Sequence, residues 1–228
     1  MHYLNSFRPL CFNKLGQIAI NKYGLPPFVD ASCRREPDFQ SPYPSISALC
    51  RGAMFAPRLR EGDSVVYVTV KGRYEPARFS HWRLVSILRV VRRFESHKDA
   101  AAWYSSNGLP VPSNCMVEGN SCLPYDMTIG VIPPNKFGST SNTDALLRIW
   151  DRGYKDRASK YGVFLACEAD FLELNQPPIL TNEMMLQIFR RTPPTLNPPP
   201  ISGSEYAALC AIVQRSDIIN KEQQLNDR

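Results

Sequence analysis

Two closely spaced β-rich runs constrain this chain more than any other feature. Leu59–Val70 (LREGDSVVYVTV) opens on a turn at Glu61-Gly62-Asp63 and continues as a β-branched run containing Tyr67. Trp82–Val91 (WRLVSILRVV) alternates imperfectly and is nearly apolar on one side. β-Branched and aromatic side chains fit a pleated, packed surface, so both runs are predicted strands. The eleven-residue stretch KGRYEPARFSH joins them, longer than a tight hairpin turn, and connections of that length often carry function. Around this pair the patterns turn helical. Ser96 caps a helix that stops at Asn107-Gly108; Thr143–Ser159 places Leu146, Leu147, Trp150 and Tyr154 at helical spacing; Thr181 caps NEMMLQIFRR; Ser204–Gln224 carries a stripe of Tyr206, Leu209, Cys210, Val213 and Ile218. Leu15–Ile20 and Val163–Leu174 are predicted as further strands. Strands and helices mix without a regular βαβα rhythm, which argues for an α+β fold: a curved, mostly antiparallel sheet with surrounding helices.

The chain has 228 residues, enough for one domain to bury a core unaided. Residues 1–192 are expected to form that domain. Residues 193–228, a Pro-rich connection (PPTLNPPPISGS) followed by the last helix, are expected to pack on it. No internal repeat is visible. No apolar run reaches the length of a membrane span, and the N-terminus lacks a secretory leader, so a cytoplasmic protein without a membrane partner is expected. Seven cysteines, an odd number, fit reduced thiols and not a disulfide framework.

The formal net charge is +6, and its distribution is uneven. Cys33–Arg93 holds 12 Lys+Arg against 5 Asp+Glu, while the remainder holds 15 against 16. One quarter of the chain therefore supplies the whole basic excess, which favours an anionic partner such as a nucleotide or nucleic acid over a solvated face.

Four constellations lie in or near this region. The first, Asp30-Ala31-Ser32-Cys33-Arg34-Arg35-Glu36, follows the extended Gly24-Leu25-Pro26-Pro27. Arg34 or Arg35 there either forks onto a phosphate or base edge or pairs internally with Asp30 or Glu36. The second, Cys50-Arg51-Gly52 with Arg58 and Arg60, leads into the first strand. The third interleaves Lys71, Arg73, Tyr74, Arg78, Phe79, His81 and Trp82, the pattern needed to stack a base while neutralising its phosphate; Trp82 serves equally well in a core. The fourth is Pro112–Asn120, whose Asn114 and Asn120 can read a base edge or simply build turns. Cys33, Cys50, Cys115, Cys122, His81 and His97 show no C-x-x-C pair, so neither a metal site nor another cofactor is expected. P-loop, Rossmann, nucleophile-elbow and zincin patterns are missing as well.

In order and spacing, four segments resemble the second family of nucleotide-modification-associated domains. These are GLPPF and ASCRR near residue 30, LREGDSVVY, and RLVSILRVVRRF, and the likeness spans roughly residues 15–175. Such domains occur in bacteria and phages beside DNA-base-modification systems and are similar to the PUA-like group (EVE, ASCH, YTH). The resemblance implies a small curved barrel that places a modified base in a pocket at its mouth, with Trp82, Tyr74 and Phe28 as cage candidates.

Three functions follow from these observations. A binding module would hold phosphate with Arg34, Arg35, Lys71 or Arg73, stack a nucleotide or modified base on Trp82, Tyr74 or His81, and read its edge with Asn114 or Asn120. An enzyme on a nucleotide or base would draw on Cys33, Glu36, Asp30 and His81 for acid–base or nucleophilic groups. An interaction protein would use the last helix to dock a partner or a second copy of the chain. A reader should show an open aromatic cage; an enzyme should hold Asp30 or Glu36 in a closed pocket with a perturbed pKa.

Overall fold

The computed structural model describes residues 1–130 and 142–226, with side chains to residue 215. It is an α+β fold on a mixed eight-stranded sheet. The strands are β1 (His2–Phe7), β2 (Ser45–Ser47), β3 (Ser64–Thr69), β4 (Gly72–Arg73), β5 (Ser80–Phe94), β6 (Phe164–Leu172), β7 (Ile179–Leu180) and β8 (Pro200–Ile201). Their order is β2-β6-β5-β3-β1-β8, with β4 and β7 on the first residues of β5. The sheet is open, its path ending at β2 and β8. Pairings are antiparallel throughout except β1 with β3, which run parallel.

The central strands read as continuous apolar runs because both of their faces are covered. On β3, Val65 and Tyr67 join a cluster with Tyr3, Phe7, Phe39, Ile46, Val85 and Leu88; Val66 and Val68 join another with Leu4, Trp82, Leu84, Leu180, Met185 and Leu209. Strands buried on both faces lose the polar alternation that marks a solvated sheet. That is the physical reason for the imperfect alternation of 82–91. The second face is covered by α4 (Asn182–Phe189) and α5 (Gly203–Asn226), which contribute Met185, Phe189, Leu209 and Val213. Thr181 caps α4 by accepting from Met184 N, and Ser96 caps α2 (His97–Ser106) by accepting from Asp99 N. α3 (Thr143–Lys160) buries Leu146 and Tyr154. The side chain of Ile218, expected in the stripe of the last helix, lies outside the described residues.

Three local expectations are corrected. Leu15–Ile20 is not a strand but the middle of α1 (Lys14–Tyr23), capped by the Asn13 side chain accepting from Gly16 N at 3.0 Å and closed by Gly24 at φ 62°. These two end signals outweigh a short apolar run. The connection 71–81 is shorter than it reads, because β4 folds back on β5 with Gly72 opposite His81. The second strand, expected over Trp82–Val91, runs on through Arg92 and Arg93, which pair with Ala166 and Leu165.

The parallel pair positions everything that follows. Two parallel strands cannot be joined by a hairpin. Residues 8–63 therefore form a long crossover from the end of β1 to the start of β3, and that crossover contains both the Asp30–Glu36 loop and Cys50-Arg51.

Candidate functional site

A cavity of about 430 Å³ opens beyond the C-terminal ends of β1 and β3. Asn5, Ser6, Phe7 and Arg8 reach it from β1 and its exit, and Tyr67 and Val70 from β3. The crossover contributes Asp30, Ser32, Glu36, Ser47, Cys50 and Arg51, and α3 contributes Trp150. Thr195 and Leu196 complete the wall. Those two come from the Pro-rich segment that reads as a linker. It is instead strapped across the site, with Ser6 Oγ 2.7 Å from Thr195 Oγ1 and Arg58 Nη1 2.6 Å from Asn197 Oδ1.

The floor holds two buried carboxyl groups. Asp30 Oδ1 accepts from Ser32 N (2.9 Å), Ser32 Oγ and Glu36 N (3.0 Å). Asp30 Oδ2 has no hydrogen-bond partner among the described residues, and Asp30 lines the cavity. Glu36 accepts from Ser47 N at Oε1 (2.9 Å) and from Ser47 Oγ and Asn114 Nδ2 (3.0 Å) at Oε2. Burial pushes Asp30 up to about 6, even though the Ser32 hydrogen bonds and the Arg35 charge pull it down. Burial pushes Glu36 further, to about 8, with the Asp30 charge adding to the effect. Burial thus raises both carboxyls, Glu36 further than Asp30, and carboxyls driven apart in this way are suited to opposite roles in proton transfer. Burial also raises Tyr67 well above its ordinary range, so its hydroxyl stays a proton donor.

The arginines of this loop are turned inward. Arg34 donates from Nε to Asp151 Oδ1 (2.7 Å) and from Nη1 to the Ser113 (3.2 Å) and Asn120 (2.9 Å) carbonyls. Arg35, at φ 42° and 1% exposed, donates to the carbonyls of Asp30, Ser32 and Met127. Neither arginine pairs with the Asp30 or Glu36 carboxyl: Arg34 pairs with Asp151, and the other partners of the two are main-chain carbonyls. Asn114 and Asn120 are spent similarly. Asn114 accepts from Ser45 Oγ (2.7 Å) while bracing Glu36, and Asn120 donates to the Pro112 (2.9 Å) and Cys115 (2.7 Å) carbonyls. Cys33 is sealed in a cluster with Leu49 and Tyr154, its thiol pushed up by burial, and does not line the cavity.

The third constellation lies on the first residues of β5 and lines a different part of the molecule. Tyr74 is buried, its hydroxyl donating to Val70 O (2.6 Å) and its ring 5.8 Å from Phe28. His81 is buried with Nδ1 2.9 Å from Phe79 O, and burial lowers its pKa. Trp82 packs in the core beneath α4 and α5, with Lys71 Nζ 4.9 Å above its ring and 2.7 Å from Asn182 Oδ1. Arg73, Arg78 and Phe79 are exposed. Arg83, which no motif singled out, is buried and donates to the Pro177 (2.9 Å) and Glu75 (3.1 Å) carbonyls.

Of the four acid–base or nucleophile candidates, Asp30 and Glu36 line the cavity and Cys33 and His81 do not; of the ligand-binding candidates Arg34, Arg35, Lys71, Arg73, Tyr74, Trp82, Asn114 and Asn120, none lines it. Asn5, Ser6, Arg8, Ser47, Trp150 and Thr195 carry no motif. Arg51 and Cys50 were visible as a unit, and Asp30 as a possible acid. A second, open groove of about 970 Å³ runs past Arg34, His97, Lys98, Asn120, Asp151 and Lys155, with cations and carboxylates interspersed. Among the described residues no three His, Cys, Asp or Glu side chains converge as metal ligands, and no helix is long and apolar enough to cross a membrane. No family model matches the chain, and neither a curated protein nor a solved structure matches it.

Proposed function

We propose that this protein is an acid–base enzyme acting on a nucleotide or a nucleic-acid base held in the Asp30–Glu36 cavity. One observation carries the reading: Asp30 has one oxygen pinned by three donors and the other unpartnered among the described residues, in a recess lined by a second carboxyl. A pinned carboxylate with a free oxygen is positioned to accept a proton from a bound ligand, and a value near 6 suits a base at neutral pH. Glu36, raised further by burial and braced by Ser47 and Asn114, supplies the complementary acid. A recess of this volume lies within the range of small-molecule sites. The nucleotide class rests on the basic excess of residues 33–93 and on the resemblance to nucleotide-modification-associated domains, which also carries the PUA-like kinship.

A second reading, recognition without turnover, rests on the β4–β5 connection. There Arg73 and Arg78 are exposed beside Phe79, itself 51% exposed, the pairing of charge and ring that single-stranded nucleic acid uses. The test is a turnover and binding screen at neutral pH. Nucleosides, nucleotides and DNA or RNA oligomers, with and without modified bases, are incubated with the native protein and with Asp30→Asn, and products are read by mass spectrometry. Turnover lost in Asp30→Asn supports the enzyme. Oligomer binding without turnover, unchanged in Asp30→Asn, supports the reader. Neither turnover nor binding of any nucleic-acid component overturns both.

A further inference from the structure

We propose that Arg8 and Arg51 form a phosphate subsite at the mouth of the Asp30–Glu36 cavity, so that the ligand enters with its phosphate outward and an uncharged ring inward. Both arginines line the cavity, and neither makes an ion pair among the described residues. In this they differ from Arg34, which already has its carboxylate. Arg51 donates from Nη2 to Ser6 O at 2.6 Å, which holds its guanidinium two residues from Arg8 along the chain leaving β1. Arg8 is exposed and lies 5.0 Å over the Phe12 ring. Two guanidiniums restrained by a carbonyl and a ring lose little freedom on gripping an anion, and their forked geometry matches phosphate oxygens. The polarity of the cavity sets the direction. The inner end carries the Asp30 carboxylate, which repels a phosphate, and the two arginines, one exposed and one half-buried, carry the charge that attracts it. Pocket walls of Phe7, Phe55 and Trp150 leave room between the two ends for an apolar ring.

This deepens the nucleotide reading and rests on it. The shared chemistry is a nucleotide phosphate, from a free nucleotide or from a nucleic-acid strand. The test is titration calorimetry at neutral pH and low salt. The ligands are ribo- and deoxyribonucleosides, their 5′-monophosphates, inorganic phosphate and a short single-stranded oligonucleotide. The proteins are the native chain, Arg8→Gln, Arg51→Gln, Arg51→Lys and the Arg8→Gln/Arg51→Gln double variant, each checked for native circular dichroism. The 5′-monophosphate is expected to bind about tenfold or more tightly than its nucleoside. The double variant is expected to bring it to the nucleoside level while nucleoside affinity stays unchanged, and Arg51→Lys to retain part of the preference. If monophosphates show the preference, the source is the free nucleotide; if only the oligonucleotide shows it, the source is a strand. A phosphate preference that is absent, or that survives the double variant, overturns the subsite and leaves the base-binding reading standing. Inorganic phosphate bound through the two arginines, with no nucleoside or nucleotide bound, keeps the subsite and removes the nucleotide reading. No binding of any of these ligands overturns both.

Discussion

The Asp30–Glu36 loop and the Lys71–His81 connection look alike as strings of residues. Each mixes arginine with acids and a few special residues, and each follows or contains prolines. Folded, they are opposites. The first is sealed: Arg34 and Arg35 are 2% and 1% exposed, their guanidiniums occupied by carbonyls and Asp151, and the loop presents a carboxyl oxygen to a cavity. The second hides Tyr74 and His81 and extends its cations, so Lys71, Arg73 and Arg78 meet solvent with the exposed Phe79 beside them. A basic motif does not by itself mark an anion site. A buried guanidinium takes partners from the fold, and Arg34 and Arg35 spend most of their donors on Asp151 and main-chain carbonyls. Among the described residues that line the cavity, Asp30 Oδ2, Arg8 and Arg51 keep capacity for a ligand.

The sharpest way to break this comparison is at Asp30. Asp30→Asn keeps the shape and the Oδ1 acceptor but removes the base. It is expected to lower turnover of whichever ligand the screen identifies by about 10²–10⁴-fold, the usual contribution of a positioned acid or base, measured as initial rates. Undiminished turnover would remove Asp30 from the chemistry.

The next contrast is stability. Arg34→Met leaves Asp151 with only the exposed Lys155, at 3.3 Å, and is expected to cost about 3–5 kcal/mol in urea unfolding. Arg73→Gln, at an exposed position, is expected to stay within about 0.5 kcal/mol. Equal effects would mean that the two loops do not differ in the way their burial indicates.

The acid pair also predicts a pH dependence. Asp30 and Glu36 hold protons to higher pH in the folded chain than in the unfolded chain. Their stability contribution is therefore full below about pH 4 and is lost as pH rises through about 6 and then about 8. Asp30→Asn removes the lower part of that loss and is expected to be more stable than the native chain at pH 7, by up to roughly 3 kcal/mol. Thermal melts between about pH 4 and 9 test the sign; a native chain that gains stability across this window through the two groups would contradict it. A substitution that stabilises the protein while abolishing activity is the signature expected of a functional carboxylate.

The smallest expected effect belongs to the exposed connection. Should an oligonucleotide bind, Arg73→Gln/Arg78→Gln is expected to reduce the slope of log affinity against log salt by about one to two, with little dependence on sequence. An unchanged slope would place the strand elsewhere.

Much of the fold was legible because its signals are local. Ser96, Thr181 and the β-branched run at 64–69 each act through neighbours within a few residues, and each forms the element expected. α1 was misread because its apolar run is short enough to suit either element, and the capping Asn13 and Gly24 decide it. Of the site, Glu36, Asp30 and Cys50-Arg51 stood out as unusual chemistry in a loop. Asn5, Arg8, Trp150 and Thr195 did not, because nothing in a strand end, a helix face or a Pro-rich stretch announces a cavity wall.

The amino-acid sequence alone determined the α+β character, the two central strands, the N-caps of α2 and α4 and the concentration of charge, all of which arise from short-range backbone preference and composition. Tertiary structure alone decided the parallel pairing of β1 with β3, which obliges residues 8–63 to cross over the strand ends and there converge with α3 and the Pro-rich strap. It also decided which charged groups were satisfied and which left open. Desolvation depends on every neighbour in space, and only when distant segments meet does a carboxyl rise toward neutrality or an arginine lose its freedom.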